Sequence, residues 1–181
     1  MDLSFLENLK EEWKPISKTA AIGWTIFYVL FIFHALRARG GFLLIDHVNL
    51  VIHEGGHLLF AVLGRALSLW GGTLLELLVP LALAVYFTFQ RHTAGAAFAS
   101  FFLFENFLYI GTYMADARSQ GLPLVAVGNV EEGFHDWFNI FSSLGLLTYD
   151  RTIGGMTRLL GWLGMLATVG WLLYRWRCSK T

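Results

Sequence analysis

The sequence predicts an all-α protein, a polytopic membrane helix bundle of five to six spans with one re-entrant segment. Three observations predict it. The chain is 56% hydrophobic and only 14% charged, where a soluble domain typically carries about 25% charged residues. Several apolar stretches approach the roughly 20 residues that a helix needs to cross about 30 Å of hydrocarbon. Ionisable residues recur inside those stretches at helical spacing, the placement expected of groups that face a bundle interior or a cavity. With 181 residues and no visible internal repeat, we expect one integral membrane domain, residues 1–181. Thirteen basic and thirteen acidic side chains cancel, so a nucleic-acid partner has no electrostatic support. Cys178 is the single cysteine, which excludes an internal disulfide framework and a cysteine-based zinc site.

In chain order, residues 1–17 carry Leu3, Leu6, Leu9 and Trp13 at helical spacing among acidic and basic neighbours. They read as an interfacial amphipathic helix, and the absence of a small-residue cleavage pattern argues against a secretory signal. The first span runs from about Lys18 to Leu36, the second from Phe42 to Gly64, and the third from about Trp70 to Phe89 with Pro80 inside it. The fourth covers about Ala94 to Tyr113 and the last about Ile153 to Tyr174. Between these two lies 115–151, which begins polar, gathers Glu131, Glu132, His135 and Asp136, and turns apolar from Trp137 to Leu147. That apolar run is too short to span, so it reads as a re-entrant or half-buried helix inside a polar loop. Irregular backbone at membrane depth survives only against protein or a water-filled cavity, which makes this loop a pointer to a site. Basic residues favour both termini in the cytoplasm if the Trp137 segment effectively crosses. The layout is that of a multi-pass protein of the cell (inner) membrane, with the bilayer as its first partner.

The second span contains His53-Glu54-Gly55-Gly56-His57, an HExxH pentad. Histidines at i and i+4 project from one helical face and can grip one zinc ion, and the glutamate between them can serve as general base toward a metal-bound water. The competing reading is a set of buried polar groups that hydrogen-bond neighbouring helices; three ionisable residues within one pentad inside a span favour the metal. Asp46, Asn49, His53, Gly56 and His57 recur at offsets of three and four and form one polar stripe. Asn49, one turn from His53, is a candidate to orient it, and Asp46 to line a water route. Asp46 and His47 read equally well as headgroup-level residues. Gly55 and Gly56 permit close approach of a neighbouring helix and leave room for a substrate backbone.

A catalytic zinc takes three protein ligands and keeps a fourth position open. His135 is the first choice for the third, because imidazole is a common zinc ligand, with Asp136 close behind; whichever does not coordinate should hold the loop or cap the Trp137 helix. Glu131 and Glu132 fit a solvated loop face better. Glu76 reads as a structural group paired between helices; Glu105 and Asn106 pair between helices or hold a substrate strand. Asp116 and Arg118 read as a boundary pair, and His34 and His92 as isolated.

The pentad, followed by Leu58-Leu59-Phe60 within a span, resembles the site-2 protease family of intramembrane zinc metalloproteases. The resemblance implies Zn2+ as cofactor, His53 and His57 as ligands, Glu54 as catalytic base, and a membrane-protein substrate cleaved in or near a transmembrane segment. In that family the third ligand is an aspartate near the start of a later span, within Leu-Asp-Gly or Asn-Pro-x-Asp-Gly. Neither pattern occurs here, and Asp136 is the matching residue type. A membrane di-iron oxygenase would need more paired histidines than the six present. The standing alternative is a metal-binding membrane protein without hydrolytic activity, including an inactive protease-like scaffold.

Overall fold

The computed structural model describes residues 11–38, 43–122 and 135–179. All regular structure among them is helical: α1 Lys18–Ala38, α2 Asp46–Ala61, α3 Arg65–Phe89, α4 Thr93–Ala115, α5 Asp136–Ser143, a 3-10 turn Leu147–Tyr149, and α6 Asp150–Cys178. Helices α1, α3 and α4, and the 3-10 turn continued by α6, are long and apolar enough to cross a membrane. The expected helix over 1–17 falls mainly outside the described residues; Glu11 to Ser17 carries no regular structure. Glu131 and Glu132 also lie outside.

Two expectations are corrected. The stretch read as a second span forms a helix of 16 residues, about 24 Å at 1.5 Å per residue and short of about 30 Å of hydrocarbon. It stops because Gly64 adopts φ +107°, a left-handed conformation that glycine enters without steric cost, and α3 begins at the next residue. The apolar run expected from Trp137 to Leu147 is helical only to Ser143. Gly145, at φ +68°, lets the Leu146 N–H turn back to the Phe141 carbonyl at 2.8 Å, a capping arrangement that closes a helix end.

The chain divides into two compact units, one of Met1–Gly41, Leu78–Glu105 and Trp162–Thr181, the other of Phe42–Leu77 and Asn106–Gly161. In the first, α1 buries Ala21, Tyr28 and Ala35, a seam repeating every seven residues that touches neighbours along one narrow line. Tyr28 packs on Phe101 with ring centroids 4.5 Å apart. Before α1, Trp13 meets the Trp171 ring edge-on at 4.9 Å and lies beneath the Arg91 and Arg175 guanidinium groups. The Thr93 hydroxyl donates to the Lys14 carbonyl at 2.6 Å, which fixes this segment to the α3–α4 turn.

The second unit holds α2, whose burial is inverted. Asp46, Asn49, His53 and Gly56 are buried, whereas Val51 and Leu58 are 73% and 65% exposed. In water such a helix would turn over to bury its apolar face. The tight turn at Gly64 folds α3 back along α2, where Gly56 and Gly71 meet so closely that a Cβ on either would overlap the other's carbonyl. Ile110, Ala117, Trp137, Ile140 and Phe141 form the local core, with the Trp137 ring edge-on to Trp70 at 5.6 Å. Asp150, fully buried, binds the Arg118 side chain through Nε at 2.9 Å and Nη2 at 2.6 Å.

Candidate metal centre

The HExxH spacing sets His53 and His57 one above the other on the inner face of α2, and Asp136 reaches them from the first turn of α5. Asp136 Oδ2 lies 2.9 Å from His53 Nε2 and 3.1 Å from His57 Nε2, and the two nitrogens are 3.0 Å apart. These three atoms form a nearly equilateral triangle, and the group can hold a metal ion. Tetrahedral ligands bonded at about 2.0–2.1 Å stand about 3.3–3.4 Å apart, so the triangle needs to open by only a few tenths of an ångström.

Proton placement sharpens the fit. His57 Nδ1 is 2.7 Å from the Ser68 carbonyl oxygen. A carbonyl only accepts, so this nitrogen carries the hydrogen and the neutral ring presents a lone pair at Nε2. His53 Nδ1 lies 3.3 Å from the Glu76 carboxylate, within ion-pair range. A lone pair and a carboxylate oxygen at about 3 Å repel one another unless a cation or a proton sits between them. Partners on the far ring nitrogen that fix tautomer and orientation are the usual support of metal-binding histidines.

The neighbouring helix supplies that support. Gly72 leaves the His53 ring its space, since a Cβ there would overlap the imidazole. The Ser68 hydroxyl donates to the His57 carbonyl at 3.2 Å. Glu54 is half-buried on α2 between the two histidines. A Cβ at Gly55 would meet only the Leu75 side chain among the described residues, at ordinary contact distance.

No match to this chain exists among the family models, curated proteins or solved structures compared with it. The reading of the site therefore stands on its residues.

The candidates from sequence separate as follows. His53, His57 and Asp136 converge. His135, the first choice from the sequence for the third ligand, does not join them; Asp136, ranked just behind it, does. His135 is the N-cap of α5, with Nδ1 accepting the Phe138 N–H at 3.2 Å, so its proton sits on Nε2, 3.6 Å from Asp116. Burial holds the His135 imidazole below its ordinary pKa against the pull of Asp116, in keeping with this neutral tautomer. Burial works against the charge of Asp116, yet hydrogen bonds from Ser119, Leu122 and Gly121 outweigh it and keep the carboxyl below its usual range. Asn49 donates to Asp46 at 3.4 Å, and the Glu76 carboxylate lies beside His53. Asp46 ties down the start of α2 by accepting the Leu43 N–H at 2.6 Å, while His47 is exposed. Glu105 and Asn106 are buried in α4 and are not part of the converging group.

Sequence reasoning missed the part played by Ser68, Gly72 and Tyr113, while Glu76, expected to pair between helices, lies 3.3 Å from His53. A signal for Gly72 existed: the glycine pair at 71–72 mirrors the pair at 55–56.

Proposed function

We propose that this chain is a membrane-embedded, zinc-dependent endopeptidase that hydrolyses a peptide bond in or near a transmembrane segment of another membrane protein. The observation that carries the reading is the convergence of His53 Nε2, His57 Nε2 and Asp136 Oδ2 within about 3 Å, with Glu54 between the two histidines in sequence. Four apolar helices and the inverted burial of α2 support a bilayer as the surroundings. His53, His57 and Asp136 would hold the ion, whose bound form supplies Lewis acidity and lowers the pKa of a coordinated water toward 7. Glu54 accepts the proton of the attacking water and returns it to the leaving amine. The Ser68 carbonyl keeps the His57 imidazole in the tautomer that leaves Nε2 free, and the Glu76 carboxylate lies beside His53. The exposed apolar face through Val51 and Leu58 flanks Glu54 and suits an apolar segment arriving from lipid. Such a segment must unwind locally to expose its amide.

The test uses purified protein in liposomes with a mixture of transmembrane peptides, cleavage being read by mass spectrometry. Glu54→Gln keeps size and removes the basic carboxylate. It should retain zinc while hydrolysis falls at least about a hundredfold. Cleavage at the wild-type rate would remove Glu54 as the base, and a wild type that binds zinc without cleaving any peptide would favour a non-hydrolytic metal protein.

A further inference from the structure

Tyr113 and Asp116, three residues apart at the end of α4, grip two consecutive residues, His135 and Asp136. The Tyr113 hydroxyl oxygen accepts the Asp136 backbone N–H at 3.1 Å. The Tyr113 ring lies 4.3 Å from the His135 ring, centroid to centroid, and meets the His53 ring edge-on at 5.8 Å. Asp116 faces His135 Nε2 at 3.6 Å. Its carboxylate is itself fixed by the Ser119 hydroxyl at 2.7 Å and by the Gly121 and Leu122 N–H groups at 3.0 and 2.9 Å.

The three metal-facing residues are held in different ways. His53 and His57 ride on one helix, so their spacing is set by its pitch. Asp136 is the first residue of an eight-residue helix. Its N–H belongs to the first turn, where no intrahelical acceptor exists, and the Tyr113 hydroxyl supplies the acceptor. A tilt of this short helix would carry the Asp136 carboxylate off the triangle while leaving both histidines in place.

We infer that Tyr113 is a positioning residue for the metal centre: its hydroxyl fixes the point at which the Asp136 carboxylate meets His53 and His57, and thereby sets metal affinity. The inference rests on the metal-centre reading and is independent of hydrolysis. Groups that orient ligands without touching the ion are typically worth 10–100-fold in affinity.

The experiment measures Zn2+ affinity of the purified, metal-stripped full chain by chelator competition, together with the visible spectrum of the Co2+-loaded form. Tyr113→Phe removes one oxygen and keeps both ring contacts. Tyr28→Phe is the control, because Tyr28 is fully buried in the first unit and its hydroxyl has no hydrogen-bond partner among the described residues. Tyr113→Phe should bind Zn2+ about 10–100-fold more weakly and alter the Co2+ spectrum, while Tyr28→Phe matches the wild type in both. Equal affinity and spectrum in Tyr113→Phe and the wild type would overturn the inference, as would equal weakening by the control. A wild type that binds no Zn2+ would overturn the metal centre itself. Should Tyr113→Phe fail to fold, Asp116→Asn loosens His135, which packs on the Tyr113 ring, without touching Asp136; it should weaken Zn2+ by a smaller factor, and unchanged affinity there would overturn the inference.

Discussion

At the scale of single residues, the adjacent pair His135-Asp136 shows how two side chains that can both ligate a metal take different work. His135 spends Nδ1 on the Phe138 N–H and directs Nε2 toward Asp116. Asp136 spends its backbone N–H on Tyr113 and its carboxylate on the two histidines. The two alanine variants should therefore differ in kind. Asp136→Ala removes one of the three ligands proposed for the ion and should abolish stoichiometric zinc in the purified protein, read by atomic absorption. His135→Ala should keep a zinc equivalent while costing about 1 kcal/mol of stability, the usual cost of a lost N-cap. Zinc retained by the aspartate variant and lost by the histidine variant would reverse the assignment.

At the scale of elements, the crossing of α2 and α3 depends on which of two neighbouring glycines faces the partner helix. Gly56 abuts the Gly71 carbonyl, whereas Gly55 has only Leu75 nearby at 3.8 Å. Gly56→Ala should force the helices apart and cost about 1–3 kcal/mol, the range for overpacking a tight contact. Gly55→Ala should be neutral or stabilising by up to about 1 kcal/mol, because alanine is the better helix former. Thermal unfolding in detergent measures both, and equal effects would show that the crossing is not set by Gly56. The same crossing places Ser68, Gly72 and Glu76 against the histidines, so the Gly56 variant should also lower zinc affinity. The pentad alone does not make the site; α3 aims its rings.

At the scale of the whole molecule, the apolar surfaces of four helices and the outward apolar face of α2 require surroundings that do not penalise exposed hydrocarbon. In water each square ångström of apolar surface left exposed forgoes about 25 cal/mol, and exposed patches beyond a few hundred square ångströms mark interaction surfaces. The protein should fractionate with membranes and stay there under alkaline carbonate extraction; release into the soluble fraction would refute the bilayer reading. The sequence by itself determined the helical class, the approximate course of the four long helices, and the pairing of His53 with His57 around Glu54. Each of these follows from local periodicity, from apolar length or from a four-residue offset along one helix. Only the tertiary structure decided that Asp136 rather than His135 joins them and that Glu76 lies beside His53. It also decided that α2 ends at Ala61. Those outcomes depend on where the backbone reverses at Gly64 and Gly145 and on which face of a distant helix the Tyr113 hydroxyl occupies. Contacts between residues far apart in the chain leave no periodic trace in the sequence, because chain direction at a turn and helix rotation are fixed by packing.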